Sequence, residues 1–353
     1  VSPDKIGVAA FTSEEDAKAK PLRPQSSVSF FSPARPDILR AVTASSGLWI
    51  LRRNSSGDAA YQRSFSVQSI KYFWSHSWHG PARAKMLSLC LVHNFWPGLV
   101  CGGMAAALSS EVLVLLPLRQ APEPAAAAVL AVLSGLLVSI VALTLWPSQD
   151  WVFLDKACIC QDSESLKRQG ILSLGFMLKR SRTMIVLWDH TIFLRLWCIF
   201  EMAARLKLQQ ENPEVGSMKV MPAAYGTLML TALLGSAGIR LAYYASALSA
   251  GSQDQMTLGS LLNETARTAG VVFIVCLAAG RAMQSNLKQI AEQANQLEQF
   301  SIKDAECFCC KQNHVDPDTG DAFACDRELI EEAVVDWFGS TEVFDGYARS
   351  ALN

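Results

Sequence analysis

The sequence predicts an α/β protein whose doubly wound parallel sheet is interrupted by a transmembrane helical hairpin, with a second hairpin and a small Cys/His-rich module behind it. Three observations predict this. Short apolar runs alternate with stretches of helical spacing in two separated blocks, 66–94 and 148–222. Long apolar runs almost free of charge lie between and after those blocks. The last part of the chain gathers cysteines and a histidine within one short segment.

Bulk properties narrow the class. With 353 residues there is room for two or three domains. Apolar residues make up 50% and charged ones 18%, with mean hydropathy +0.20, which is oily for a simple soluble domain and points to membrane segments. A formal charge of -1 argues against nucleic acid as a partner. The ten cysteines are scattered, some inside apolar runs such as Cys101 and Cys276, as reduced thiols in a cytosol-like compartment would be. The chain opens on Val1 rather than Met, which reads as a processed chain or a fragment.

Residues 1–65 mix Pro, Ser, Ala and Arg without a period and are expected to form an irregular tail, with one docking piece at "GLWIL". "IKYFWSHSW" (70–78) reads as a strand ending in a polar loop, and "PARAKMLSLCLVHN" as a helix. Residues 95–147 then form the inserted hairpin. Phe95 to Leu118 is apolar except for Glu111, Pro124 to Pro147 carries no charge, and only "RQAPE" separates them. Glu111 is open to two readings, a group facing the bundle or one near the membrane edge. Core helices of a soluble bundle are the other reading of the oily runs.

After the hairpin, "DWVFLDKACI" (150–159) reads as a second buried strand. Ile171, Leu174 and Leu178 mark a helix, "TMIVLWD" (183–189) a third strand, and "LWCIFEMAARLKL" another helix. A second hairpin is expected over 220–283. Its first run, Val220 to Ile239, is uncharged, while Thr268 to Gly280 is short and bounded by Arg267 and Arg281. Arg83, Lys85, Lys219, Arg281 and Lys288 flank the spans on the side of the soluble blocks, against Arg119, Arg240 and Arg267 opposite. That bias places the soluble pieces on the cytoplasmic or equivalent organellar side of a multi-pass protein.

Residues 284–353 are expected to form an amphipathic helix, with Leu287, Ile290, Ala294 and Leu297 on one stripe, and a Cys/His-rich module. Cys307, Cys310, His314 and Cys325 offer three thiolates and an imidazole, a closed set suited to a structural zinc ion, with Cys309 as an alternative to Cys310. Reduced, unliganded cysteines remain the other reading. Asp326 is placed to cap a helix bearing Leu329, Ala333, Val334 and Trp337 and ended by Gly339.

The pieces "SHSW" (75–78), "VFLDKACI" (152–159), "SRTMIVLW" (181–188) and above all "LWCIFE" (196–201) occur in the order and spacing of a TIR domain, the Toll, interleukin-1 receptor and resistance-protein module. The resemblance covers 66–94 and 148–222 and implies a flavodoxin-like sheet. The whole chain is also similar to multi-pass protist proteins that pair such a domain with a "CDRE...WFGS" tail.

In catalytic TIR domains the glutamate of the Trp-Cys helix is the essential acid for cleaving the nicotinamide-ribose bond of NAD. The resemblance puts that role on Glu201, with Ser75, His76, Trp78, Asp155, Lys156 and Trp197 around the substrate. A fixed carboxylate can stabilise an oxocarbenium-like ribose. The sequence departs from the family where Trp78 and His79 follow "SHS" and where the loop after the second strand reads "CICQDSES". The plainer reading of Glu201 is an i,i+4 ion pair with Arg205 on an exposed stripe, and of the aromatic and histidine side chains, core packing and ordinary loops. The function expected is that of a membrane-anchored TIR-like protein acting by association, as a signalling adaptor or accessory subunit, with NAD hydrolysis as the alternative. The expected partners are membrane lipid, other membrane-complex subunits and TIR-like domains. Few ionisable groups in the spans speak against transport.

Overall fold

The computed structural model describes residues 30–35, 37–53, 57–115, 124–251, 258–315, 320, 322 and 325–352. Part of the segment expected to be an irregular tail belongs to the sheet. Arg40–Thr43 (β1) leads directly into Ala44–Arg53 (α1), and after Gly57–Tyr61 (α2) the short strand Phe65–Ser66 (β2) pairs antiparallel with β1. Ala41 and Val42 are fully buried, a pair too short to show a strand period in the sequence. Gly47 in α1 lets the helix close on the sheet, since a Cβ there would stand 2.7 Å from the Trp74 ring.

Ile70–Ser75 (β3) is followed by Ala82–Leu115 (α3) and Pro124–Leu145 (α4). Trp151–Phe153 (β4), Asp155–Cys158 (α5), Glu164–Leu172 (α6) and Leu174–Lys179 (α7) come next. Ser181–Trp188 (β5), Leu196–Glu211 (α8) and Ser217–Pro222 (β6) complete the domain. The strand expected over 150–159 is therefore three residues long. Asp155 begins a helical turn instead.

The six-stranded sheet runs β2-β1-β4-β3-β5-β6, with β4, β3, β5 and β6 mutually parallel and β1 antiparallel to β4. The fold is thus mixed α/β with an antiparallel edge. Among the parallel strands the chain reverses its direction of travel between β3 and β5, the kind of position outside whose carboxyl ends ligands bind in open sheets. β5 is buried from Thr183 to Trp188 because helices cover both faces, which is why it reads as one continuous apolar run. Phe73 pairs with Phe153 across the ladder, their rings stacked 4.4 Å apart.

The expected soluble helix and the first oily run form one unbroken helix, α3, despite Pro97 within it. α3 and α4 approach closely on small residues: a Cβ on Gly102 would lie 1.8 Å from Ser139 Oγ and one on Gly98 2.6 Å from Leu143 Cγ. The second apolar pair is Tyr225–Gly251 (α9) and Leu258–Glu298 (α10). The third run starts at Tyr225 rather than Val220, because Val220 to Pro222 are the end of β6. The short fourth run lies inside the long α10. Among the described residues, four helices are long and apolar enough to cross a membrane: Ala82–Val112, Ala125–Leu145, Tyr225–Ala245 and Ala269–Glu298.

These helices join the domain at two levels. Ser88 Oγ donates to the carbonyl of Ala223 (2.8 Å) and accepts from the amide of Gly226 (2.7 Å), tying α3 to the start of α9 beyond the carboxyl end of β6. Lower down, His93 Nδ1 is 3.0 Å from Asp150, just before β4, and Asn94 donates to the carbonyl of Leu143. The first hairpin therefore leaves at the amino-terminal edge of the sheet. The C-terminal segment, with Phe308–Lys311 (α11), Asp326–Phe338 (α12) and Thr341–Leu352 (α13), packs onto α8 through Trp337 against Phe200 (5.6 Å) and shares one core with the sheet.

Candidate functional site

Ser75 ends β3, and Glu201 lies in the second turn of α8, a helix buried without interruption from Cys198 to Leu206. Ser75 Oγ donates to Glu201 Oε2 at 2.6 Å, and the carboxyl is only 8% exposed. Burial pushes Glu201 up to about 8, against the opposing pull of the Ser75 hydrogen bond, and the Asp155 charge pushes the same way as burial. At neutral pH the group is largely protonated. The ion pair with Arg205 does not form. Arg205 is itself fully buried and turns the other way, donating to the carbonyls of Ser181 (3.1 Å) and Val215 (3.3 Å). The exposed stripe assumed for α8 is absent because the sheet and the C-terminal segment cover it together.

His76 is buried with its ring 4.5 Å from that of Trp78, and its Nε2 has no hydrogen-bond partner among the described residues. Burial lowers its pKa, so the ring is neutral. Trp78 donates its indole N–H to Asp155 (2.9 Å), and the Lys156 ammonium stands 5.1 Å from the Trp78 ring centre. Ser75, His76, Trp78, Asp155, Lys156 and Glu201 thus gather at the carboxyl ends of β3 and β4. Trp197 does not join them: its indole N–H donates to Asp326 of α12 (3.1 Å). Asp326 accordingly does not cap its helix with its side chain; Cys325 occupies the cap position.

Sequence reasoning missed a buried ion pair beside this group. Lys85 Nζ lies 2.6 Å from Asp189 Oδ2, and both side chains are almost fully buried. Lys85 also donates to the carbonyl of Ser77, while Thr191 donates to Asp189 Oδ1 at 2.6 Å. Gly80 makes room for the pair, because a Cβ there would fall 1.8 Å from Asp189 Oδ2. The available signal was a lone lysine inside an apolar helix and an aspartate ending an apolar strand.

Within this group Ser75, His76 and Glu201 are buried, while Trp78, Asp155 and Lys156 are partly exposed. Glu306 brings the chain after α10 against the start of α8, its amide donating to the carbonyl of Leu194 (2.7 Å) and its carbonyl accepting from the amide of Leu196 (3.3 Å). A cleft of about 860 Å³ lies instead at the opposite, amino-terminal edge of the sheet.

That segment holds the cysteine cluster. Cys309, Cys310, His314 and Cys325 present ligand atoms that all lie within 4.8 Å of one another. A zinc ion with thiolate bonds of about 2.3 Å places tetrahedral sulfurs about 3.8 Å apart. The observed separations are 3.9 Å for Cys309 to Cys310, 3.7 Å for Cys310 to Cys325 and 3.7 Å for Cys310 to His314 Nε2. The residues present therefore fit a metal ion. Cys309, not Cys307, completes the set, because α11 starts at Phe308 and leaves Cys307 in extended backbone before it. Cys307 Sγ lies 3.0 Å from Cys309 Sγ, too near for a tetrahedral edge. Asn313 and His314 have φ of 51° and 58°, a left-handed turn that brings the imidazole back over Cys310.

No protein-family model matches the chain, and comparison with curated proteins and with solved structures gives no match.

Proposed function

We propose that the chain is a membrane-anchored protein whose TIR-like α/β domain acts by association, as a signalling adaptor or an accessory subunit of a larger membrane complex. The soluble parts face the cytoplasm or its organellar equivalent. The observation that carries this reading is the burial of Ser75, His76 and Glu201, together with a C-terminal segment packed on the same helix α8 through Trp337 against Phe200. A zinc ion held by Cys309, Cys310, His314 and Cys325 would supply a cross-link between α11 and the start of α12, holding the C-terminal segment in its fold.

NAD hydrolysis is the second reading, and the Ser75–Glu201 pair is what favours it. Its weakness is the protonation state. A neutral carboxyl does not stabilise a developing oxocarbenium ion, and burial keeps the proton on Glu201 at neutral pH. The two readings separate in one experiment. Full-length protein in detergent and in liposomes is incubated with NAD, nicotinamide release is followed beside Glu201→Gln, and two differently tagged copies are tested for cross-linking in the same liposomes. Association predicts dilution-dependent cross-linking and no release above the Glu201→Gln background. Release abolished by Glu201→Gln overturns it in favour of the hydrolase.

A further inference from the structure

The cleft at the amino-terminal edge of the sheet takes no part in the function argued above. It is walled by the first residues of β3, β4, β5 and β6, with Lys71, Lys179, Arg180 and Arg182 along it. Its charge is one-sided. Lys71 is matched by Asp150 at 2.5 Å, whereas Lys179, Arg180 and Arg182 share the wall with one further carboxylate, Glu214.

Behind the wall stands Arg205. Its guanidinium donates to the carbonyls of Ser181 and Val215, both of which line the cleft, and its Nε has no partner among the described residues. No described carboxylate forms an ion pair with it. Burial lowers Arg205 only to about 10, so it keeps its charge at neutral pH. The wall is thin at this point: a Cβ on Gly216 would lie 2.4 Å from Arg205 Nη1, and Gly216 has φ +58°. A buried cation without a counter-ion is costly, and an anion in the adjoining cleft would offset it.

The cleft also lies where the first hairpin leaves the sheet. Asp150 joins Lys71 on the cleft to His93 on α3, one residue before Asn94 contacts α4. Exposed Phe95, Trp96, Trp146 and Trp151 lie at the same level, with Trp151 itself on the cleft wall. Aromatic rings of this kind sit at headgroup depth when the helices beside them enter a bilayer.

We propose that this cleft binds the phosphate group of an anionic lipid headgroup. The inference rests on α3 and α4 entering the membrane and is independent of whether Glu201 has any chemistry. Arg180 and Arg182 supply planar donor forks for phosphate oxygens, Lys179 a point charge, and Arg205 a fixed positive field from behind. The negative surface of the membrane concentrates such a ligand at this edge.

The test uses the full chain in detergent micelles at fixed ionic strength. Its thermal midpoint is followed during titration with dioctanoyl phosphatidic acid, dioctanoyl phosphatidylcholine and inorganic phosphate. The expected result is a saturable rise with phosphatidic acid that exceeds the other two at equal concentration. Arg180→Gln with Arg182→Gln, both exposed positions, should weaken the apparent affinity at least about tenfold. Arg168→Gln with Arg349→Gln, a control of equal charge change, should leave it unaltered. No saturable rise, a rise as large in the Arg180→Gln, Arg182→Gln protein, or an equal response to inorganic phosphate overturns the proposal.

Discussion

Glu201 carries a proton because burial outweighs the Ser75 hydrogen bond and the Arg195 charge that favour its ionised form, and that has a measurable consequence for stability. In the unfolded chain the carboxyl has its ordinary value of 4.5, and in the folded chain it sits at about 8. Between those values the folded protein binds more protons than the unfolded one, so raising the pH removes stability, by up to about 1.4 kcal/mol per pH unit from this group. Below the lower value both states are protonated and the contribution is constant. Glu201→Gln retains an oxygen to accept from Ser75 and has nothing to ionise. Its thermal midpoint is expected to match wild type near pH 5 and to exceed it increasingly toward pH 8; parallel midpoint curves across that range would contradict the buried, protonated carboxyl. The sequence held half of this result. It singled out the residue and its helix, but an i,i+4 spacing to Arg205 says only that two side chains are near each other, not that both point to one exposed face. With α8 enclosed on every side, Arg205 turns to the carbonyls of Ser181 and Val215 instead.

At the scale of elements, legibility followed burial. β5 was plain because both its faces are covered and six consecutive positions are apolar and buried, Thr183 apart. β1 and β2 were hidden, since a strand with two buried residues and a two-residue strand with none leave no period to read. The boundary between β6 and α9 was blurred because the strand's end and the helix behind it are both apolar, so the change from extended to helical backbone has no mark in composition. The group the geometry brings together differs from the expected ligand set at one member, Cys309 in place of Cys307, for a related reason. The spacing Cys307 to Cys310 suggested one loop, but helix α11 begins between them and brings Cys309 and Cys310 to the same side as His314 and Cys325. This makes a sharp prediction. Protein purified without chelator should hold about one equivalent of zinc, Cys325→Ser and His314→Ala should each reduce it below about half an equivalent, and Cys307→Ser should retain it. Loss of metal in Cys307→Ser with retention in Cys309→Ser would reverse the assignment.

For the whole molecule, the domain constrains its own path through a membrane. One core is assembled from three stretches of chain: the strand and helix before α3 and α4, the block from β4 to β6, and the segment after α10. Phe30 packs on Phe200 (4.8 Å), Trp197 bonds Asp326, and Phe193 meets Phe300 (5.1 Å), so these stretches touch one another directly. They can do so only if each apolar pair returns the chain to the side it left, which requires both α9 and α10 to cross or neither. The length of the helix containing the short fourth run supplies the means, since α10 continues from Leu258 to Glu298 without a break and carries Gln293 back to the carbonyl of Trp188. A C-terminal epitope in sealed vesicles should therefore share the protease sensitivity of the block 148–222, both digested from one side and both protected from the other. Trp337→Ala should raise the digestion rate of the C-terminal segment without changing its side, because it loosens the seat on Phe200 while leaving the spans intact. An epitope protected where the α/β block is cut would mean an odd number of crossings, and no arrangement of this core survives that result.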